Sequence, residues 1–444
     1  MAFLNSTQGG IFMSLELINV KGTKDFFPNE QVVRNKIIKT LQEIFEIYGY
    51  QPLETPTLCY SDILASKYAG GAEILKEMYT LKDQGDRDLA LRYDLTVPFS
   101  KVIGMNPNMR MPFKRYEIGK VFRDGPVKLG RMREFIQCDV DMVGVKSVMA
   151  EAELMYMTIE AFDKLELDIY ISYNNRKLLS GILIALDIDQ ENTSDVILTL
   201  DKLEKIGVEG VKAELIEKGI SKDIVDSIVN LISNEESYSL DYYKNMPSNT
   251  LLLQGIEELE ELNDYLDTLD IRDKTKFNPF LARGLEIYTG TVYEIFLTDG
   301  SIDSSMGAGG RYDEIIGGFL QNGMEYPAVG ISYGLDVIAT ALNMKSNDEY
   351  KSNVDLFIIP LGTKKDTLKI AGEIRKKGIK VDIEMMDRRL KRSLDYANKE
   401  NIPYVIILGE NEIESGRVKI KDMENSTEEE INLSDIVNYL LEKM

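Results

Sequence analysis

The sequence predicts a mixed α/β (α+β) protein: an antiparallel β core, a helical module inserted in it, and a separate α/β sheet domain at the C-terminal end. Three observations predict this. Short apolar runs alternate with turn residues from Ala90 to Gly144, the pattern of antiparallel strands. An acidic, leucine-rich, helix-periodic stretch runs from about 192 to about 267. From Val354 onward strands and helices take turns, the order that builds an α/β sheet, here over roughly 90 residues.

Each element has its own justification. Residues 1–12 (MAFLNSTQGGIF) show no periodicity and read as a disordered extension outside the fold. Val33, Ile37, Ile38, Leu41, Ile44, Phe45 and Tyr48 recur at three- and four-residue steps, an amphipathic helix ending at Gly49. Tyr50–Pro56 carries two prolines, which suit an extended edge strand. Phe113–Phe122 and Phe135–Val143 read as two antiparallel strands joined by a charged, glycine-containing loop. A Met- and Ala-rich helix around Val148–Lys164 and a strand Ile169–Tyr173 follow. Strand patterns return at Leu285–Leu297 and Val329–Tyr333, with a helix from Gly334.

A hydrophilic linker, Lys345–Asn353, separates residues 13–345 from residues 352–444. The second region reads as strand Val354–Pro360, helix Lys365–Lys377, strand Val381–Met385, helix Arg388–Asn401, strands Tyr404–Leu408 and Arg417–Lys421, and a helix near Leu433–Lys443.

Composition excludes several chemistries. The 444 residues contain no histidine, so Ser-His-Asp and Cys-His sites, histidine-ligated metals and imidazole proton shuttles are ruled out. Two cysteines, Cys59 and Cys138, make neither a disulfide framework nor a four-cysteine zinc site. No stretch approaches the ~18 apolar residues of a membrane helix, and no secretion signal is recognisable, so the chain reads as cytoplasmic.

The net charge of −22 opposes nucleic-acid binding on average. The average hides a contrast. Residues 352–444 hold 16 basic and 18 acidic side chains, a net charge of −2, and residues 352–423 are net +3.

Three stretches concentrate the residues that carry chemistry. In Arg92-Tyr93-Asp94-Leu95-Thr96 a carboxylate and a hydroxyl fall near a strand end, a pattern that an ordinary surface turn also produces. In the two-strand unit, Gln137, Asp139 and Asp141 alternate and so face one side of their strand. Arg123, Lys128, Arg131 and Arg133 lie in the loop and its edges; guanidinium forks suit phosphate oxygens, and a solvated charged hairpin is the alternative. In Arg283-Gly284-Leu285-Glu286-Ile287-Tyr288-Thr289-Gly290, glycines permit close backbone approach where the helical module returns to the sheet. Neither a Gly-Lys-Ser/Thr phosphate loop nor a strand-preceded GxGxxG is present, which removes P-loop and Rossmann readings.

These stretches, in this order, resemble the histidyl-tRNA synthetase family of class II aminoacyl-tRNA synthetases, from about Val20 to the C-terminus. Lys21-Gly22-Thr23-Lys24-Asp25-Phe26 is similar to the family's N-terminal signature, and Pro56 to its motif 1 proline. Tyr68 to Pro98, with Gly70-Gly71, resembles its substrate loop. Phe122-Arg123 through Arg133-Glu134-Phe135 resembles motif 2. Arg283-Gly284-Leu285 with Tyr288-Thr289-Gly290, and Gly309-Gly310-Arg311-Tyr312-Asp313, resemble the two histidine signatures.

The resemblance implies a class II antiparallel-sheet catalytic domain with a helical insertion, plus a C-terminal anticodon-binding domain. It implies a homodimer joined through motif 1, which activates histidine with ATP (as its Mg2+ complex) and transfers it to tRNA(His). Arg123 would hold the α-phosphate and the substrate carboxylate, and Arg283 would stabilise the charge developing there; these are the implied catalytic residues. Asp94, Leu95, Thr96, Gln137, Asp141, Ile287 and Tyr288, with Arg123 and Arg283, would bind histidine. Arg131, Arg133 and Phe135, with Arg123, would bind ATP, and no protein side chain is implied as a metal ligand.

Two positions depart from the family pattern. Ile287 replaces the first of two aromatics, and Val337 stands where motif 3 normally places an arginine against the γ-phosphate. Losing such a charge-assisted contact costs about 1.5–3 kcal/mol. Val337 therefore motivates an alternative: a weak paralogue serving as a histidine-sensing regulatory subunit or a tRNA-binding sensor.

Overall fold

The computed structural model describes residues 16–66, 75–128, 130–282, 287–321, 324–345 and 352–443. Packing divides the chain into two compact units. One holds residues up to 25 and 34–345; the other holds 26–33 and the residues from 346 on.

The first unit is built on an eight-stranded sheet. Its strands, in chain order, are β1 (Gln51–Pro52), β5 (Phe113–Phe122), β6 (Glu134–Val143), β7 (Ile169–Asn175), β8 (Thr275–Phe277), β9 (Thr291–Leu297), β10 (Gly307–Arg311) and β11 (Ala328–Gly334). Their spatial order is β1-β5-β6-β11-β10-β9-β7-β8. The six central strands are antiparallel, and only β1 on β5 and β8 on β7 are parallel. A small antiparallel sheet, β2 (Leu58–Tyr60), β3 (Thr80–Lys82) and β4 (Asp88–Leu91), lies in the order β2-β4-β3.

Helix α1 spans Pro28–Ile47 and buries Ile37, Leu41, Ile44 and Phe45, the stripe that its spacing predicts. It starts earlier than Val33, since Pro28 is well tolerated in a first helical turn. The predicted edge strand over 50–56 shrinks to Gln51–Pro52, because Pro52 and Pro56 have no N–H to give; Leu53 N still donates to Tyr116 O.

The two long antiparallel strands form with every residue from Phe113↔Val143 to Phe122↔Glu134 in register. The helix Met149–Lys164 packs against β11 and β7 of the same sheet. The inserted region is helical, from Thr193–Leu200 to Thr250–Thr268. Its last helix meets the helix Arg176–Ala185 at two glycines: a Cβ on Gly181 or Gly255 would lie 2.3 Å from the facing backbone nitrogen of Leu252 or Leu178. Of the strand expected over 285–297, residues 285 and 286 lie outside the described residues, and among the rest the strand runs from Thr291 to Leu297. Thr289 N is instead spent on Arg311 O, and Gly290 O accepts from Arg176 N.

The second unit is an α/β sheet of β12 (Leu356–Leu361), β13 (Val381–Ile383), β14 (Tyr404–Gly409), β15 (Arg417–Asp422) and β16 (Thr427–Asn432), in the order β13-β12-β14-β15-β16. The first three are parallel and the last two antiparallel. Helices Lys364–Arg375, Leu390–Lys399 and Ile436–Lys443 cover it. Strand β16 escapes sequence reading because Thr427-Glu428-Glu429-Glu430 has no apolar alternation. It is an edge strand with mostly exposed side chains, held by pairing Glu428 and Glu430 against Lys421 and Lys419.

Candidate active site

The site begins with β6. Gln137, Asp139 and Asp141 share a face, as their spacing predicts, and that face looks toward β11 and the segments around β10. Asp139 and Asp141 line a small cleft, partly open to solvent, with Thr96, Ile287, Tyr288, Tyr312, Ser332 and the backbone of Gly309 and Gly310. Gln137 is joined to it indirectly: its Nε2 donates to Ser332 Oγ at 2.8 Å.

Buried charge is arranged in pairs beneath this cleft. Arg115, fully buried on β5, meets Asp141 at 2.6 Å, donates to Leu95 O at 3.2 Å and lies over the Phe99 ring. The Tyr312 hydroxyl donates to Asp141 Oδ1. Arg92 meets Glu117 at 2.7 Å and also donates to Thr55 O and Lys120 O. Such pairs are fixed in place, because removing one partner strands a charge in low dielectric.

Gly330 makes room for Asp141. A Cβ there would lie 2.0 Å from Asp141 Oδ1. Arg311 ties the sheet to the helix Met149–Lys164 and is not among the residues lining the cleft: it holds Glu151 through two bonds of 2.7 Å and reaches Val145 O. Burial raises the Glu151 pKa, and Arg311 opposes the rise. Asp139 is different. It is 1% exposed, Ser332 hydrogen-bonds its side chain, and burial pushes its pKa up to about 8 against the pull of Arg115.

The β5–β6 hairpin supplies the cationic side. The Arg123 guanidinium stacks over the Phe135 ring at 5.3 Å, and its Nε donates to Tyr93 O at 2.9 Å. Among the described residues nothing else engages its terminal nitrogens. Arg133 pairs with Asp124 at 2.6 Å and bonds Gly125 O. Its backbone N–H donates to Gly22 O, so the segment Lys21–Thr23 lies along the base of the hairpin. Arg131 is exposed in the loop, its backbone paired with Lys128.

Asp94 accepts from Val97 N, ending the turn into the helix Thr96–Met105, and Leu95 is fully buried. Neither belongs to the cleft wall. Val337 is 8% exposed and faces Gly130 of the hairpin loop; a Cβ on Gly130 would sit 3.4 Å from Val337 Cγ2. Its neighbour Asp336 forms a buried ion pair with Arg34 of α1 and accepts from Ile136 N on β6.

Of the residues expected from the sequence, the structure thus puts Thr96, Asp141, Ile287 and Tyr288 around one cleft, and Arg123, Arg133 and Phe135 on the hairpin whose strands lead into it. Arg283 lies outside the described residues, as do Gly284, Leu285, Gly70 and Gly71. Sequence reading assigned no role to Arg115, Ser332 or Asp139. The period-two face of β6 pointed to Asp139. Nothing in the sequence pointed to Ser332, whose place depends on the β6–β11 register Asp139↔Ser332.

Comparison with known proteins places this architecture. The sequence model of the family described as histidyl-tRNA synthetase matches residues 22–338, and that of an anticodon-binding domain matches residues 355–443. Histidine–tRNA ligase 1 of Bacillus thuringiensis subsp. konkukian (strain 97-27) is 58% identical over 427 residues, 96% of this chain and 100% of that protein. Histidine–tRNA ligase 2 of Shouchella clausii (strain KSM-K16) is 51% identical over 417 residues, 94% and 98% of the two chains.

Among solved structures, a histidyl-tRNA synthetase from Nostoc sp. PCC 7120 superimposes with a TM-score of 0.85 at 29% identity, covering 97% of this chain and all of that one. A Bacillus halodurans structure described as an ATP phosphoribosyltransferase regulatory subunit/histidyl-tRNA synthetase gives 0.75 at 19% identity over 90% of this chain and all of that one, a likeness of fold alone. The fold is that of a class II aminoacyl-tRNA synthetase. Within that class, the chain belongs to the histidyl-tRNA synthetase family.

Proposed function

We propose that the chain is a histidine–tRNA ligase, which joins histidine to ATP as an adenylate and then passes the histidyl group to tRNA(His). The observation that carries this reading is the full-length identity of 51–58% to proteins of that name, joined to an acidic cleft beside an arginine hairpin.

No enzyme nucleophile is needed. The histidine carboxylate attacks the ATP α-phosphorus and pyrophosphate leaves; the terminal tRNA hydroxyl then attacks the adenylate carbonyl and AMP leaves. The protein's task is positioning and charge stabilisation. Arg123, braced by Tyr93 O and Phe135, is the residue for the α-phosphate and the substrate carboxylate. Arg283 is proposed to share that charge. Phe135, Arg133 and Arg131 are assigned to the nucleotide, with magnesium entering as part of the ATP complex.

In the cleft, Asp141 and Tyr288 are acceptors for imidazole N–H groups, with Ile287 against the ring. Thr96, Leu95 and Asp94 are assigned to the α-ammonium side, and Gln137 to the pocket edge. The +3 segment at 352–423 is assigned to tRNA, whose phosphates need only local positive charge.

A homodimer is proposed through α1 and β1, where Ile38, Leu53, Ile118 and Ile136 border a broad half-buried groove. The protein is expected to act in the cytoplasm.

The experiment is ATP–pyrophosphate exchange with each of the twenty amino acids. Exchange that requires histidine alone is the expected result. Histidine binding without exchange would favour the sensor reading that Val337 motivates.

A further inference from the structure

Among the described residues, two buried guanidinium groups face four buried carboxyls around the cleft. Arg115 is answered by Asp141 and Arg92 by Glu117, while Asp94 is held by the N–H of Val97. Asp139 is left over. It lines the cleft beside Asp141, and among the described residues its Oδ1 has no hydrogen-bond partner. The groups facing it come from four elements: Arg115 and its cross-strand neighbour Glu117 on β5, Asp141 on its own strand, Asp94 before the helix Thr96–Met105, and Tyr312 after β10. On the β11 side the Ser332 hydroxyl meets it, and that hydroxyl is in turn bonded by Gln137. A buried, half-partnered acid in a ligand cleft invites a ligand group that shares its proton.

We propose that Asp139 is a specificity-determining residue, whose unpartnered oxygen engages one nitrogen of the substrate's imidazole through a single shared proton. The pocket then selects a ring basic enough to hold that proton. This rests on the reading of the cleft as the histidine site. The balance is simple. With Asp139 protonated, a neutral imidazole enters, the carboxyl proton comes to lie between the oxygen and the ring nitrogen, and the other ring N–H faces Asp141 or Tyr288. No proton is exchanged with solvent. Once Asp139 has ionised, above about pH 8, the same complex forms only by taking one proton from water.

The test is calorimetric titration of histidine into the full-length protein at pH 7 and pH 8.5, each in two buffers of different ionisation enthalpy. Little proton exchange is expected at pH 7, and uptake of most of one proton at pH 8.5. Asp139→Asn abolishes the extra uptake, and its histidine KM in pyrophosphate exchange rises about ten- to a hundredfold, more than kcat falls.

Triazolylalanine, whose ring stays neutral across this range, is activated at least tenfold less efficiently than histidine by the wild type, and the variant loses that preference. The wild-type proton count and analogue preference stand even where Asp139→Asn does not fold. An equal proton count at the two pH values, or uptake that persists in Asp139→Asn, overturns the proposal while histidine-dependent exchange leaves the ligase reading intact. A wild type that neither binds nor activates histidine overturns both.

Discussion

Gly330→Ala tests how the cleft is held open. The added Cβ would lie 2.0 Å from Asp141 Oδ1 and 2.8 Å from Val140 O, against an ordinary contact of about 3.4 Å or more. Backbone relief is blocked, because Gly330 sits between β10 and β6 in continuous register. The Asp141 carboxylate must rotate away, surrendering the Tyr312 hydroxyl and the 2.6 Å pair with Arg115. Breaking a buried ion pair costs about 3–5 kcal/mol, a large part of the ~5–15 kcal/mol that stabilises a folded protein. Losing the acceptor for the imidazole N–H costs about 1.5–3 kcal/mol more in binding, a ten- to hundredfold rise in histidine KM. Thermal unfolding and histidine-dependent exchange measure the two effects. A variant with wild-type stability and histidine KM would refute the reasoning, since Asp141 would then not be fixed by its packing on Gly330.

Three further predictions follow from named contacts. Arg34→Met leaves Asp336 buried without its cation and lowers stability by about 3–5 kcal/mol in urea unfolding; an unchanged midpoint would contradict this. Val337→Arg, facing the hairpin loop at Gly130, restores a charge on the nucleotide side and lowers the ATP KM about tenfold in exchange assays; an unchanged KM would show that the triphosphate charge is met elsewhere. Asp139 keeps its proton to a higher pH when folded than its unfolded value near 3.9, so the folded state binds more protons and stability falls as pH rises from about 4 to about 8. Asp139→Asn removes that decline, and its melting temperature gains on the wild type between pH 5 and pH 8.5; a difference independent of pH would contradict it.

What was legible in the sequence was whatever local periodicity encodes. The stripe of α1 and the two long strands β5 and β6 appear within a residue or two of their predicted core positions, because helical spacing and turn-bounded strand runs are written in the local sequence. The shared face of Gln137, Asp139 and Asp141 was equally legible, since alternation is a property of the strand itself. What was not legible depends on register between distant segments. Ser332 meets Asp139 only because β11 pairs with β6, Tyr312 reaches Asp141 across 171 residues, and Arg115 is a binding-site support only because Leu95 and Asp141 converge on it. Of the strand expected over 285–297, residues 285 and 286 lie outside the described residues, and β9 runs from Thr291, the N–H of Thr289 and the carbonyl of Gly290 being drawn to Arg311 and Arg176. The family motifs supplied roles that periodicity cannot, and Val337 marks where those roles meet this chain's own chemistry.

The most direct test of the central claim is aminoacylation by the purified full-length protein of a total tRNA pool with each labelled amino acid, alongside Arg123→Ala. The account predicts that histidine alone is transferred, only to tRNA(His), and that Arg123→Ala abolishes transfer while the protein remains folded. Charging with another amino acid, or histidine binding with no charged tRNA, would contradict it.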